Sequence, residues 1–270
     1  MMYPNATRPE AVAFSEELAG WLASSGHTCV NTEADTAELD AVLVVGGDGT
    51  VLRAVRDTYG SGIPCWAVNY GNLGFLTQCQ PDEAKLQLTT LIEGRAEIEK
   101  RATMEGGLIR NGQEERFFAI NEAVIHRSSY ARTLRMTLYI GGNEITTFAG
   151  DGLLISTPTG STAYNLSAGG PILLPGSEQL VITPICPHSA IHAPIVVSKK
   201  DHISVRISVP EAKLDEEGCP QLVVDGTQRY YLKPGDIVHC AISPVTVDFI
   251  KTNSDSFYCR LQQRLAQTSL

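Results

Sequence analysis

Val42-Leu43-Val44-Val45-Gly46-Gly47-Asp48-Gly49-Thr50 decides the fold. Four apolar residues, three of them β-branched, run into three glycines that surround one carboxylate, and Val51-Leu52-Arg53-Ala54-Val55-Arg56 then favours a helix. Strand, glycine turn and helix start together aim main-chain N–H groups at a phosphate. Glycine permits the close approach and supplies φ > 0 where a side chain would clash. Asp48 is the odd member of such a loop, because a carboxylate repels a bare polyphosphate. Its place suits a Mg²⁺ ligand or a base taking a proton from an attacking hydroxyl, and equally a helix cap or a turn-former.

The 270 residues, 43% hydrophobic and 19% charged, fit a globular protein with a sizeable core, in one large domain or two ordinary ones. A formal net charge of −9 argues against nucleic acid or an anionic membrane as the main partner. An anionic nucleotide therefore needs a local cluster of donors. Seven cysteines, at 29, 65, 79, 186, 219, 240 and 259, make an odd count without C-x-x-C spacing. That pattern reads as free thiols in a reducing cytosol. No run reaches transmembrane length and no signal peptide precedes the fold, so the expected location is cytoplasmic. The six histidines are scattered, and no metal-ligand set is assigned.

Upstream of the glycine loop, Met1 to Asn5 reads as the end of a strand. Thr7 is expected to cap a helix opened by Pro9, with Ala11, Phe14, Leu18, Trp21 and Leu22 at helical spacing and Gly26 as its stop. His27 to Val30 is expected as a short strand. Downstream, Gly62 to Val68 is an apolar strand leading into Asn69-Tyr70-Gly71-Asn72-Leu73-Gly74-Phe75, and Asp82 to Ile92 is a helix stopped by Gly94. Alternating strands and helices imply a parallel sheet, whose ligands sit at the C-terminal strand edge, where both glycine turns fall.

From about Glu97 the texture becomes all-β. Arg101 to Arg110 and Arg116 to His126 join across Asn111-Gly112, and Thr133 to Ile140 and Glu144 to Phe148 across Gly141-Gly142, both strong hairpin signals. Short strands at 152–156, 195–197, 202–209, 221–225 and 236–241 complete a sandwich of antiparallel sheets. Glu211 to Cys219 reads as a charged loop, and the Pro184 to Pro194 stretch with His188 and His192 as packing and turns. Phe249 to Leu265 ends in a helix with Phe257, Leu261 and Leu265 on one side. The expected division is an α/β nucleotide-binding domain at 1–97, with 245–270 packing back onto it, and a β-rich domain at 98–244.

Two more stretches carry chemistry. Asp151-Gly152-Leu153-Leu154-Ile155-Ser156 is an apolar strand that breaks at Thr157-Pro158 and then presents Thr159-Gly160-Ser161-Thr162. Thr162 to Ser167 enters a helix whose N–H groups favour phosphate, and Tyr164 offers an aromatic face for a base. The plain alternative is a Ser/Thr-rich turn. Asn121-Glu122 sits between Ala119-Ile120 and Ala123-Val124-Ile125, an amide and a carboxylate midway along a buried strand. They need partners, which ribose hydroxyls would supply; a structural role is the other possibility.

These stretches together resemble the NAD kinase family: Gly46-Gly47-Asp48-Gly49-Thr50, Asn69 through Leu76, Asn121-Glu122, and Asp151 through Gly170, in order from about Tyr3 to Leu265. The Gly-Gly-Asp-Gly turn alone is shared with diacylglycerol, sphingosine and phosphofructo-kinases. The Thr-Pro-Thr-Gly-Ser-Thr-Ala-Tyr run discriminates. The resemblance implies an NAD kinase/diacylglycerol kinase-like fold and transfer of phosphate from ATP or polyphosphate, with Mg²⁺, to the 2′-hydroxyl of the adenosine ribose of NAD. It implies Asp48 as general base, and Gly46, Gly47, Gly49 and Thr50 on the donor phosphates with help from Arg53. NAD would meet Asp48, Gly49, Phe75, Asn121, Glu122 and Asp151. Thr162, Ala163, Tyr164, Asn165, Leu166 and Ser167 would line the adenine pocket. It also implies a homodimer or homotetramer.

The chain departs from that pattern at a short first strand, at Ala149 and Ala193, where relatives often carry basic residues, and at Thr227 in Asp225-Gly226-Thr227-Gln228. Arg127, Arg132 or His192 could stand in. Two rival readings are a diacylglycerol-type lipid kinase, which would want an apolar acceptor tunnel, and a non-catalytic NAD(H)-binding regulator.

Overall fold

Parallel pairing starts at the chain's second residue. Met2–Pro4 (β1) lies beside Val42–Gly46 (β2), and β2 beside Cys65–Asn69 (β3). The computed structural model describes residues 1–30, 38–71, 74–127, 133–188, 192–208, 219–252 and 257–267. The chain divides into two units, Met1–Arg101 with Thr246–Leu270, and Ala102–Val245.

In the first unit every residue of β2 and β3 is buried. Leu43 and Val45 alternate onto one face with Trp66 and Val68. There they pack with Ala11, Leu18 and Leu22 of α1 (Pro9–Ser24). α2 (Asp48–Asp57) follows β2 directly and buries Val51, Ala54 and Val55. α3 (Ala84–Ile92) adds Ala84 and Leu88 to the same core as α1, and Gly94, at φ +69°, ends it. Two expectations are corrected here. Thr7 does not cap α1: the cap position is Arg8, and the Thr7 hydroxyl binds Asn5 Oδ1 at 2.9 Å. His27 to Val30 is not a strand; its link to the sheet is one bond, Met2 N–H to the Val30 carbonyl at 3.0 Å.

The second unit is antiparallel. β4 (Glu97–Arg110) turns into β5 (Gln113–Ala119) through Asn111 and Gly112, both at positive φ (51° and 77°) as a type I′ turn demands. The strand expected over Arg116 to His126 is two strands, because β6 (Glu122–His126) pairs with other partners than β5. The chain changes sheets at Ile120-Asn121. β7 (Leu134–Ile140) and β8 (Asn143–Gly150) form the second hairpin, with Gly141 and Gly142 at φ 57° and 80°. Then come β9 (Gly152–Ser156), β10 (Gln179–Ile185), β11 (Ile195–Ser198), β12 (Ile203–Ser208), β13 (Gln221–Val224), β14 (Gln228–Tyr231) and β15 (Ile237–Lys251). One sheet runs β11-β10-β9-β6-β13-β14; β12 lies between β7 and β15 in the other. Inward residues of both, such as Met136, Val205 and Val238 against Ile125, Leu153 and Ile182, share one core.

Two strands, β10 and β14, escape the sequence reading. Pro184 disguises β10, yet it falls past the reach of β11, whose pairing ends at Ile182. β15 is longer than the expected 236–241 and runs on through Pro244. Pro244 lies between Cys240, paired with Ile203, and Phe249, paired with Cys65, where the strand passes into the first unit. α5 (Phe257–Gln267) half-buries Phe257 and Leu261 as expected and also buries Arg260, only 8% exposed, which was not expected. The side chain of Leu265, Arg132, Asn72, Leu73 and all of the 211–219 loop but Cys219 lie outside the described residues. Among the described residues no helix is long and apolar enough to cross a membrane, and no disulfide joins the cysteines.

Candidate functional site

Asp48 is the first residue of α2, after Gly47 in extended backbone. At that position the helix supplies no partner for its leading N–H groups, so Asp48 and Gly49 present amides at the mouth of β2. The loop after β3 reaches back to the carboxylate. Phe75 donates its N–H to Asp48 Oδ2 at 2.9 Å, and Leu76 donates to Oδ1 at 3.0 Å. A Cβ at Gly74 would stand 2.0 Å from Asp48 Oδ1, so the clamp closes only over glycine. Thr50 is 3% exposed and packs back on Gly46. Arg53 is exposed, and its charge acts on Tyr3, whose hydroxyl donates to Asp57 at 2.6 Å. Phe75 stacks at a tilt on Phe257, centroids 6.1 Å apart.

Buried cations surround this loop. Arg260 Nη1 donates to the carbonyls of Phe75 and Thr77, each at 3.1 Å. Arg101 is buried, bonded to Glu99 at 2.6 Å, and its guanidinium lies over the Phe249 ring. Burial pushes its pKa down, opposed by Glu99; the Arg260 charge adds to the fall, and Asp48 pulls against it.

In the second unit, Asn121-Glu122 sits where the chain leaves β5 for β6. Asp225, in the turn between β13 and β14, holds that crossing. Its Oδ2 accepts from Ile120 N–H at 2.9 Å, and its Oδ1 from Asn121 at 2.8 Å and Glu122 at 3.1 Å. Thr157 holds the other side, its N–H on the Asn121 carbonyl and its hydroxyl on that of Ile120. Glu122 is 8% exposed with Oε2 unpartnered, and burial plus the Asp225 charge raise its pKa to about 8. A pKa raised that far favours the protonated carboxyl at pH 7, a form that can donate a hydrogen bond. Glu122 lines a cleft of about 570 Å³ together with Arg127, Asp151, Tyr164, Gly226 and Arg229. Arg127 Nε pairs with Asp151 Oδ1 at 2.8 Å.

The hydroxyl-rich run is largely turned inward. Ser161 and Asn165 are wholly buried. Asn165 donates to the carbonyls of Ser161 and Pro171 and accepts from Thr183 Oγ1 at 2.7 Å, which occupies the amide expected at the adenine pocket. Gly160–Thr162 is a 3₁₀ turn and Tyr164–Ser167 one helical turn (α4). Thr162, Ala163 and Leu166 are half-buried, Ser167 is exposed, and the Tyr164 ring is 45% exposed. Of the stand-ins for the absent basic residues, Arg127 is in the cleft, His192 is exposed, and Arg132 is outside the described residues. Among the described residues no three Asp, Glu, His or Cys side chains gather as a metal cage.

The sequence reading named Asp225 only within Asp225-Gly226-Thr227-Gln228, without a role, and it did not pick out Arg260, because a lone arginine on a helix signals nothing.

Comparison with known proteins places this arrangement. The ATP-NAD kinase N-terminal domain model matches residues 7–96 and the ATP-NAD kinase C-terminal domain model residues 120–252. An NAD kinase of Thermoanaerobacter sp. (strain X514) is 38% identical over 84% of this chain and 79% of its own length. One from Syntrophotalea carbinolica is 35% identical over 98% and 96%. Yeast NADH kinase, solved in complex with NADH, superposes with a TM-score of 0.78 at 27% identity, covering 84% of this chain and 67% of that one. An NAD kinase from Archaeoglobus fulgidus in complex with ATP gives a TM-score of 0.74, covering 93% of this chain and 92% of that one; at 24% identity it speaks for the fold alone. With both family models matched in order and relatives above 30% identity along nearly its whole length, this chain belongs to the NAD kinase family.

Proposed function

We propose that this chain transfers a phosphoryl group from Mg-ATP, or from polyphosphate, to the 2′-hydroxyl of the adenosine ribose of NAD, giving NADP. The observation that carries the reading is Asp48: a carboxylate at the head of α2, oriented by the N–H groups of Phe75 and Leu76. Phosphoryl transfer is mainly positioning and charge stabilisation. The amides at the start of α2 would hold the donor's phosphates, with Gly46 and Gly47 keeping the backbone close. A magnesium ion bound to the triphosphate would offset part of its charge, leaving the rest to the amides of α2. Asp48, with oxygen lone pairs to spare beyond its two amide bonds, takes the proton of the attacking hydroxyl, a contribution of typically ~10²–10⁴-fold.

The cleft of the second unit would take part of NAD. Tyr164 offers a ring face to a base, and neutral Glu122 donates to a sugar or base acceptor without repelling the pyrophosphate. Arg127 would be the stand-in in this cleft for the basic residue absent at Ala149, on exchanging its contact with Asp151 for a phosphate of the ligand. Assembly as a homodimer or homotetramer and a cytoplasmic location belong to the same reading; light scattering of the purified protein tests the first.

The test is direct. Purified protein with Mg-ATP and NAD is coupled to a glucose-6-phosphate dehydrogenase that requires NADP. NADP formation that is lost in Asp48→Asn is expected. Lipid phosphorylation without NADP would favour a diacylglycerol-type kinase, and NAD binding without turnover a regulator.

A further inference from the structure

We propose that Arg260 of α5 is a positioning residue for Asp48, acting through the peptide unit that joins Phe75 to Leu76. The proposal rests on the reading of Asp48 as the base. That one peptide is held at both ends: its carbonyl accepts from Arg260 Nη1 at 3.1 Å, and its N–H donates to Asp48 Oδ1 at 3.0 Å. A cation on the oxygen of an amide strengthens the hydrogen bond its N–H can give. The same Nη1 also donates to Thr77 O, in the peptide whose N–H, that of Gln78, donates to Ala67 O of β3 at 2.7 Å. Arg260 thus ties the peptide under Asp48 to a peptide anchored on the sheet.

Leu76, Thr77 and Gln78 of this loop are buried, and Arg260 holds two of the loop's carbonyls. Gly74 must remain without a side chain, and the bridge of Val68 to Cys79 begins only beyond Gln78. Burying a guanidinium is costly unless its donors are used. Arg260 is 8% exposed, and its partners here are main-chain carbonyls of this loop. Phe257, one turn earlier on α5, places its ring against that of Phe75, so the helix is seated on the loop at two points. An apolar residue at 260 would seat the helix as well; only a multivalent donor fixes both carbonyls.

The experiment compares parent, Arg260→Met, Arg260→Lys, Asp48→Asn and Asp48→Asn/Arg260→Met, with Mg-ATP and NAD as substrates and thermal melting as a check of folding. Arg260→Met is expected to lower kcat roughly 10- to 100-fold, as sub-ångström to ångström misplacement of a catalytic group does. KM for NAD and for ATP should stay within about twofold, because no ground-state contact is lost. Arg260→Lys, which keeps the charge and three donors on one ammonium nitrogen but loses the guanidinium fork, should recover part of kcat and serves as the test should the methionine variant fail to fold. In the Asp48→Asn background, Arg260→Met should cost less than about twofold more, the non-additivity of residues acting as one unit. A parent-like kcat in a folded Arg260→Met protein, a rise in KM at unchanged kcat, or an equal loss in both backgrounds would overturn the inference while leaving Asp48 as base. Near-parent turnover in Asp48→Asn would instead remove the reading beneath it.

Discussion

Asp48 and Asp225 are the same side chain doing opposite work. Each gathers consecutive main-chain N–H groups, and each sits in a glycine-bearing turn. Asp225 accepts three, from Ile120, Asn121 and Glu122, and is 8% exposed. Asp48 accepts two, from Phe75 and Leu76, and is only half-buried at a helix start. A carboxylate has about four acceptor sites. Asp225 has most of them committed inside the protein, which makes it a fastener. Asp48 keeps enough, with access, to take a proton. On the proposed reading of Asp48, the number and accessibility of the remaining lone pairs, not the residue type, separates a base from a clamp.

The sharpest break in that contrast is Asp48→Asn. Its kcat should fall ~10²–10⁴-fold, while calorimetry finds NAD binding unchanged and melting finds the fold intact. A near-parent kcat would make both aspartates structural. Asp225→Ala should do the reverse. It leaves three main-chain donors without their acceptor, and at about 1 kcal/mol or more for each unsatisfied group the loss is about 3 kcal/mol. For a chain this long that is a drop of roughly 6–12 °C in melting temperature, with a higher KM for NAD as Glu122 loses its place. Equal stability loss in Asp48→Asn and Asp225→Ala would erase the distinction.

A smaller effect is expected at Gly74→Ala. The added methyl would lie 2.0 Å from Asp48 Oδ1, so the carboxylate or the loop must shift. A roughly tenfold fall in kcat at constant KM for NAD follows; steady-state kinetics on the variant decides it. The smallest concerns Glu122, which stands beside Asp225. Its pKa rises from 4.5 to about 8 on folding, by burial and the Asp225 charge. Between those values the folded state holds the extra proton, so stability declines as pH rises through that window. Glu122→Gln has no such decline. Its melting temperature should match the parent's below pH 4.5 and exceed it increasingly up to pH 8. Parallel melting curves across that range would mean that Glu122 is charged in the fold.

Much of the architecture was legible because it rests on local demands. The hairpins at Asn111-Gly112 and Gly141-Gly142 need φ > 0 at both turn residues, and those pairs provide it. Elsewhere local signals misled. Pro184 read as the start of a turn-rich stretch, yet it continues β10, paired with Leu153 of β9 and beyond the pairing of β11. The apolar frame around Asn121-Glu122 read as one strand, although the chain changes sheets there. Thr157, read as a strand break, and Ser161, read as part of a hydroxyl-rich run, spend their hydroxyls on main-chain carbonyls.

The chain's own order of residues determined the glycine loop after β2, the carboxylate at its head, and the change from α/β to all-β texture. Each depends on neighbours a few positions apart, through steric limits on φ and the periods of strand and helix. Tertiary structure alone decided what grips the two functional loops. Asp225 lies 103 to 105 residues from the amides it holds, and Arg260 lies 185 from the Phe75 carbonyl. Every residue except proline carries the same N–H and every residue the same C=O. A carboxylate or guanidinium that binds the main chain therefore leaves no mark on its partners' side chains, and only folding reveals which peptide it meets.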